Sequence, residues 1–259
     1  MALFAKNETI VFCVNSRLHI YTLKAEEFSP LIVEIPKAVV NSKNNETKEG
    51  KNVESAHSVV CGNFSESGRF FAICDASKQL IVYLKNKQTT SWEIYRIYEI
   101  IRKSVKVIFT SDESAILLTD RSGDVYSYDM SREDFCKGTL LMGHLSMILD
   151  MNLTHDGKFL ITSDRDEKIR VSCFPNAYNI HGYCLGSKDF VSSFCFINEF
   201  TIISGSGDST LRTWNYIDGK QLCVHDCSED VEIDAKKPKL AVKQMCYSIK
   251  LTIPSKYNL

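Results

Sequence analysis

The stretch FTIISGSGDSTLRTW, at residues 200–214, gives the clearest indication of the fold. It starts with an apolar run, passes through a turn rich in Gly, Asp and Ser, and ends in a segment where apolar and polar residues alternate. Alternation with a period of two places successive side chains on opposite faces of a β-strand. The stretch therefore predicts two strands joined by a tight turn.

The same pattern occurs three more times upstream, as GRFFAICDASKQLIVY (68–83), SAILLTDRSGDVYSY (114–128) and KFLITSDRDEKIRVS (158–172). The spacing of the copies is 45, 44 and 42 residues, counted between the turns that begin at Asp75, Asp120, Asp164 and Ser206. A further strand precedes each copy and ends in an apolar or aromatic residue, at Phe64, Phe109, Leu153 and Phe196. A weaker copy lies at 9–23, and AVKQMCYS at 241–248 is typical of the first strand of another.

A repeat of about 44 residues built only from short strands is typical of a β-propeller. Each blade has two apolar faces that it cannot bury alone, so neighbouring blades must stack. Helical repeats of similar length are the alternative. Strict alternation, as in Val125-Tyr126-Ser127-Tyr128, and the frequent turn residues argue against them. The predicted fold class is therefore all-β.

Two parts of the chain resemble WD repeats. Gly143-His144 is followed 28 residues later by Ser172, which is similar to WD-repeat spacing, and SGDSTLRTW at 206–214 is the best single copy. In WD repeats a His, a turn Asp, a Ser or Thr and a Trp share a hydrogen-bond network. The resemblance assigns to this network His144 and Asp166 in the fourth repeat, and Ser204, Asp208 and Trp214 in the fifth. The match is partial, because Ser172 replaces the Trp and Gly186-Ser187 replaces Gly-His.

Three strings resemble one subfamily more closely: GHLSMILDM (143–151), SDRDEKIRVS (163–172) and DRSGDVYSY (120–128). They are similar to the non-catalytic WD-repeat subunit of the tRNA (guanine-N7) methyltransferase, over roughly residues 58–222. The resemblance implies a nuclear, non-catalytic scaffold that forms a heterodimer with the catalytic subunit and helps to present tRNA. It also implies that S-adenosylmethionine binds to the partner subunit and that this chain holds no cofactor.

Five charged residues in a row, Asp164 to Lys168, occupy the turn of the fourth repeat. Asp166 is expected to serve as the turn Asp of the network. Arg170 shares a strand face with Ser172 and is expected to point outward beside it. From the residues alone, a solvated turn remains an alternative. The subfamily resemblance implies that the catalytic subunit docks here. The predicted partner-binding residues are Arg165, Asp166, Glu167, Lys168 and Arg170.

The repeat divides the chain into five predicted blades, at about 1–57, 58–103, 104–146, 147–189 and 190–238. The segment 37–57 is rich in Asn, Lys and Glu and is predicted to be a mobile insertion in the first blade. Residues 239–259 are predicted to form a partial sixth blade or an altered C-terminal tail. Seven blades would need about 300 residues at this period. The prediction is a propeller of the seven-bladed type that is truncated to about five blades plus a fragment, and an open ring closed by a partner is the alternative.

Composition limits the classes of function. Lys and Arg number 31 against 32 Asp and Glu, which argues against binding nucleic acid by bulk electrostatics alone. No apolar run reaches the roughly 18 residues of a membrane span, and the N-terminus does not resemble a secretory signal. Ten cysteines, most of them in apolar strand-like runs, therefore indicate buried free thiols rather than a disulfide framework.

Other chemistry has weaker support. The nearest candidate for a glycine-rich cofactor loop, SGSGDS at 204–209, falls in a turn between strands. The stretch CVHDC at 223–227 could bind zinc through its Cys and His side chains, but it lacks a second pair of ligands. A basic group between the second and third repeats could meet phosphates or could simply be solvated: Arg96, Arg102, Lys103 and Lys106. The alternative functions are another WD-repeat scaffold, such as a substrate receptor of a ubiquitin ligase, and a propeller hydrolase.

Overall fold

The structure is a computed structural model, and it describes residues 2–23, 29–36, 58–89, 91–131 and 137–227. The predicted insertion at 37–57 and the predicted C-terminal segment at 239–259 lie outside the described residues.

All regular structure in the described part of the chain is β-strand, in twenty segments. The strands form five antiparallel sheets, and each sheet joins four strands that are consecutive in the chain. We call these sheets blade 1 to blade 5. They confirm the prediction of an all-β propeller built from repeated four-stranded units. Within the described ranges there is no helix with the length and hydropathy of a membrane span.

The strand bounds follow the repeat closely. Blade 1 contains β1 (Ala2–Lys6), β2 (Thr9–Val14), β3 (Arg17–Thr22) and β4 (Leu31–Glu34), and blade 2 contains β5 (Val59–Phe64), β6 (Phe70–Asp75), β7 (Gln79–Lys85) and β8 (Trp92–Glu99). Blade 3 contains β9 (Ser104–Phe109), β10 (Ala115–Asp120), β11 (Asp124–Asp129) and β12 (Thr139–Gly143). Blade 4 contains β13 (Ile148–Leu153), β14 (Phe159–Asp164), β15 (Ile169–Cys173) and β16 (Ile180–Cys184), and blade 5 contains β17 (Val191–Phe196), β18 (Thr201–Ser206), β19 (Thr210–Asn215) and β20 (Lys220–Asp226).

The first strand of each blade is its innermost strand. These strands, β1, β5, β9, β13 and β17, pack against one another in chain order. Because neighbouring strands are antiparallel, the turn between the second and third strands lies at the same end of a blade as the connection to the next blade. We call this end the upper face. The other two turns of each blade lie at the lower face.

The polar turns predicted from the repeat all lie at the upper face, and each is closed by the residue that ends the second strand of its blade. The Asp75 carboxylate accepts a hydrogen bond from Gln79 N at 2.9 Å, and Asp120 accepts one from Asp124 N at 3.1 Å. Three residues after each closing residue the backbone is left-handed, with φ between 67° and 95° at Lys78, Gly123, Glu167 and Ser209. This shared geometry explains why Asp recurs at the closing position, whereas glycine takes the left-handed position only in blade 3.

The core consists of four apolar layers, each between two adjacent blades. Alternate residues of one strand enter different layers, because their side chains leave opposite faces of the sheet. Phe71 and Ile73 pack towards blade 1, while Phe70 and Ala72 pack towards blade 3. The second strands of blades 2, 3 and 4 are therefore buried on both faces, which explains why their sequences are continuous apolar runs.

Candidate functional site

The charged turn of blade 4 joins β14 to β15 at the upper face. Its residues Arg165, Asp166, Glu167 and Lys168 are exposed, and Glu167 is in the left-handed backbone region with φ 68°. The side chains of Arg165 and Glu167 make no hydrogen bond or ion pair with any residue that the structure describes. The two side chains, of opposite charge, are therefore free to contact another molecule.

Asp164, rather than Asp166, is the aspartate of the hydrogen-bond network beneath this turn. His144 Nδ1 lies 2.9 Å from Asp164 Oδ2, and His144 Nε2 lies 2.8 Å from Thr162 Oγ1. Asp164 Oδ1 accepts hydrogen bonds from the backbone N–H groups of Asp166 and Lys168. The assignment of Asp166 to this network was wrong, because Asp164 ends the buried strand whereas Asp166 lies two residues further, on the solvent side.

The electrostatics of Asp164 favour its ionised form. Burial by itself raises the pKa of this carboxyl group, but the hydrogen bonds from His144 and from the backbone of Lys168 and Asp166 outweigh burial. The pKa of Asp164 therefore lies below its ordinary value.

Asp166 instead connects the turn to the loop between β12 and β13. Its Oδ1 accepts a hydrogen bond from Ser146 Oγ at 2.9 Å, and the backbone N–H of Arg165 donates to Met147 O at 3.0 Å. Lys168 Nζ donates to the backbone carbonyl of Asp166 at 3.2 Å. The turn of blade 4 is thus fixed to the end of blade 3.

Arg170 does not point outward, which corrects the prediction of a solvent-facing contact. It shares a face with Ser172 as predicted, and its Nε donates to Ser172 Oγ at 2.9 Å. Its two terminal nitrogens donate to the carbonyl oxygens of Gly143 at 3.2 Å and Ala177 at 3.0 Å. Burial lowers the pKa of the guanidinium, and only 8% of the residue is exposed. The small Ser172 makes room for this side chain inside the blade.

Blade 5 contains the Trp–Ser pair that is typical of a WD network. Trp214 Nε1 donates to Ser204 Oγ at 2.8 Å, so these two predicted members do meet. Asp208 makes its contacts elsewhere: its carboxylate accepts hydrogen bonds from Lys188 N at 2.8 Å and from Arg212 at 3.3 Å. Of the three residues assigned to the network of the fifth repeat, Ser204 and Trp214 therefore bond to each other, whereas Asp208 belongs to a separate cluster.

Leu145 was not identified from the sequence and is fully exposed at the upper face. It precedes Ser146, whose hydroxyl group holds Asp166, so an apolar side chain lies beside the charged turn. Its position directly after the Gly-His pair in GHLSMILDM was the available signal. We call Leu145 together with Arg165, Asp166, Glu167 and Lys168 the upper patch.

Two members of the basic group between blades 2 and 3, Arg102 and Lys106, are paired with carboxylates. Arg102 lies 3.3 Å from Asp120 and 3.0 Å from Asp124. Lys106 Nζ lies 2.8 Å from Asp150 in the innermost strand of blade 4. These ion pairs favour a structural role for Arg102 and Lys106 over phosphate binding.

The described part of the chain also contains a cavity of about 790 Å³ at the lower face. Its walls come from the lower ends of the innermost strands and include Phe64, Phe109 and Phe196. The upper patch lies at the other face, so the charged turn does not form the wall of this cavity.

Comparisons with known proteins give one consistent result. The family model described as "tRNA methyltransferase TRM82 WD40 domain" matches residues 130–255. The chain is similar to the tRNA (guanine-N(7)-)-methyltransferase non-catalytic subunit WDR4 of Homo sapiens, with 34% identity over 227 residues that cover 86% of this chain and 54% of the relative. The WDR4 subunit of Mus musculus is 41% identical over 64% of this chain and 39% of its own length. The subunit named wuho of Drosophila melanogaster is 36% identical over 78% of this chain and 48% of its own length.

The chain spans about half the length of the curated relatives that it matches. Among solved structures, a chain of the "Crystal Structure of Mitotic Checkpoint Complex" superposes with a TM-score of 0.67, covering 87% of this chain and 65% of that chain. At 15% identity, this likeness supports the propeller fold alone. The predicted resemblance to the methyltransferase subunit is confirmed by the family model and the curated relatives.

Proposed function

This chain is a WD-repeat relative of the non-catalytic subunits of the tRNA (guanine-N7) methyltransferase, and we propose that it binds and stabilises the catalytic subunit of that enzyme. In this proposal the chain has no methyltransferase activity of its own. The catalytic partner binds S-adenosylmethionine and transfers the methyl group to tRNA. The two chains form a heterodimer in the nucleus, and tRNA is bound by the complex.

The observation that best supports this proposal is the contrast between the inner and the solvent-facing sides of the charged turn. The inner side is held by hydrogen bonds among Asp164, His144 and the backbone of the turn. The solvent-facing side presents Arg165 and Glu167 without partners among the described residues. A fixed backbone with unpaired charges of both signs suits a complementary charged surface, because little ordering of the loop backbone remains to be done on binding.

Leu145 adds apolar area to the same surface. Protein interfaces commonly combine an apolar centre with a polar rim, and the rim charges contribute mainly to specificity and association rate. The upper patch has this composition, since its four charges sum to zero around one fully exposed leucine. We propose that the catalytic subunit contacts Leu145, Arg165, Asp166, Glu167 and Lys168, with Arg170 supporting the patch from within the blade.

Binding to the purified catalytic subunit tests the proposal. The unmodified chain should bind it in isothermal titration calorimetry and increase its rate of methyl transfer to tRNA. Arg165→Glu should weaken binding at least about tenfold, because a reversed charge meets a surface that complements the original one. Its melting temperature should stay close to that of the wild type, since the Arg165 side chain makes no internal bond.

Arg121→Glu is the matched control. Arg121 occupies the same position in the turn of blade 3 and is also exposed. Its substitution should change the affinity by less than about threefold. If the unmodified chain fails to bind the catalytic subunit, the proposed function is wrong. If the chain binds but Arg165→Glu and Arg121→Glu bind equally well, the upper patch is not the contact surface.

A further inference from the structure

Two cysteines face each other across the first two strands of blade 2. Cys61 in β5 and Cys74 in β6 are register partners in the antiparallel ladder. Directly opposite residues in such a ladder have Cα atoms roughly 4.5–5.5 Å apart, which lies within the range that a disulfide spans. No other two cysteines in the described strands are register partners.

The two thiols differ in their surroundings. Cys74 is completely buried in the apolar layer between blades 2 and 3, whereas Cys61 packs against that layer and is only half-buried. A hydrogen bond with Cys74 lowers the pKa of the Cys61 thiol, and the charge of Lys106 acts in the same direction. Burial raises the pKa of Cys74. Cys61 is therefore the more accessible and more nucleophilic of the two sulfurs.

We propose that Cys61 and Cys74 form a reversible dithiol–disulfide switch that responds to peroxide. The Cys61 thiolate attacks hydrogen peroxide, an S–O bond forms, the O–O bond breaks, and hydroxide leaves. The Cys74 sulfur then attacks the Cys61 sulfenic acid, the S–S bond forms, and water leaves with the Cys74 proton. The hydroxide takes up the proton that Cys61 released on ionising, so that two thiols are oxidised and one peroxide is reduced to two waters.

The disulfide would join the innermost strand of blade 2 covalently to its neighbour, and a small thiol would reverse it by exchange. This property does not depend on the proposed methyltransferase role. The pair lies in blade 2, whereas the upper patch lies between blades 3 and 4.

Peptide mapping of the full chain after treatment with hydrogen peroxide tests this proposal. Free thiols are alkylated under denaturing conditions before digestion with trypsin. Trypsin cleaves after Arg69, so Cys61 and Cys74 fall in separate peptides, 52–69 and 70–78. The expected result is a linked pair of these two peptides that disappears after treatment with dithiothreitol. Cys13 and Cys184 are buried without a cysteine register partner. They should stay reduced in peroxide and should therefore be found alkylated.

Single substitutions separate the two sulfurs. In Cys74→Ser the sulfenic acid at Cys61 cannot be resolved and should be trapped by dimedone. In Cys61→Ser the buried Cys74 should stay reduced. The proposal is overturned if the linked peptides are absent at a peroxide concentration that oxidises the exposed Cys223, or if Cys74 is oxidised as readily in Cys61→Ser as in the wild type.

Discussion

Arg170 places a guanidinium inside blade 4 and bonds it to one hydroxyl group and two backbone carbonyls. None of the described residues gives it a carboxylate, so the hydrogen bonds alone offset the cost of its burial. The carbonyls belong to Gly143, before the β12–β13 loop, and to Ala177, after β15. Arg170 therefore links β15 to the end of β12 and to the β15–β16 loop.

Substitution of Arg170 should destabilise the fold. Arg170→Leu removes three hydrogen bonds and leaves the carbonyl oxygens of Gly143 and Ala177 without their donors. We expect the free energy of unfolding to fall by about 2–4 kcal/mol, measured by urea denaturation. The exposed Arg165→Leu should change it by less than about 0.5 kcal/mol. A stable Arg170→Leu variant that no longer binds the catalytic subunit would show instead that Arg170 contacts the partner directly.

The ionised state of Asp164 should appear in the acid dependence of stability. A carboxyl group whose pKa is lowered in the folded state contributes stability above its unfolded pKa, and this contribution is lost as the pH falls through the folded pKa. The unfolded value is about 3.9. The stability difference between the wild type and Asp164→Asn should therefore be fully present above about pH 5 and should narrow below about pH 4. Urea midpoints at successive pH values measure this difference, and a constant difference down to pH 2 would contradict it.

Residue roles at the site were only partly predictable from the sequence. Alternation correctly placed Arg170 and Ser172 on one face of β15. It could not show whether that face is covered by solvent or by the β15–β16 loop, because the covering residues, such as Ala177, lie outside the alternating pattern. Likewise, two aspartates lie two residues apart in DRDEK, and only the end of β14 decides which one is buried.

At the scale of the strands and turns, more of the structure was predictable from the sequence than at the scale of single residues. The turn positions Asp75, Asp120, Asp164 and Ser206 are the last residues of the second strands, as the repeat indicated. Phe64, Phe109, Leu153 and Phe196 end the innermost strands. Turn chemistry and period-two alternation are local properties of the chain, and local signals can be read without knowing the tertiary contacts.

One turn at the lower face has a residue that does not suit its backbone. Glu113 has φ 57°, whereas the corresponding turns of blades 2 and 4 have Gly68 and Gly157, with φ 74° and 67°. The Glu113 carboxylate accepts a hydrogen bond from Ser67 N at 3.0 Å, which connects blades 2 and 3. This contact offsets the strain of a left-handed non-glycine residue.

Two substitutions at Glu113 separate these effects. Glu113→Ala keeps the unfavourable φ and loses the hydrogen bond, whereas Glu113→Gly loses the bond but removes the strain. We expect the glycine variant to be more stable than the alanine variant by about 1 kcal/mol in urea denaturation. Equal stability of the two variants would mean that this turn is not strained.

For the whole molecule, stability depends on contacts between neighbouring blades. The four apolar layers join blades in pairs, so each blade is stabilised only by its neighbours. The repeat period predicted this stacking. It could not predict the polar contacts between blades, because each of these contacts joins single residues about one repeat apart.

One such contact connects three innermost strands. The Asp150 carboxylate pairs with Lys106 Nζ of blade 3 at 2.8 Å and accepts a hydrogen bond from Phe194 N of blade 5 at 3.1 Å. Asp150 is buried, whereas the Lys106 side chain is about one-third exposed, so the ion pair itself is partly screened by solvent. The bond to Phe194 N is buried and loses its acceptor if Asp150 is removed.

Asp150→Ala should therefore weaken the coupling of blades 3, 4 and 5. We expect a loss of about 1–3 kcal/mol in the free energy of unfolding. We also expect a shallower urea transition, because the blades should no longer unfold in a single step. Lys158→Met is the control, since Lys158 pairs with Asp156 at 3.0 Å where both side chains are exposed, and an exposed pair contributes about 1 kcal/mol or less. If Asp150→Ala unfolds at the wild-type midpoint with the wild-type slope, the three blades are held together by their apolar layers alone.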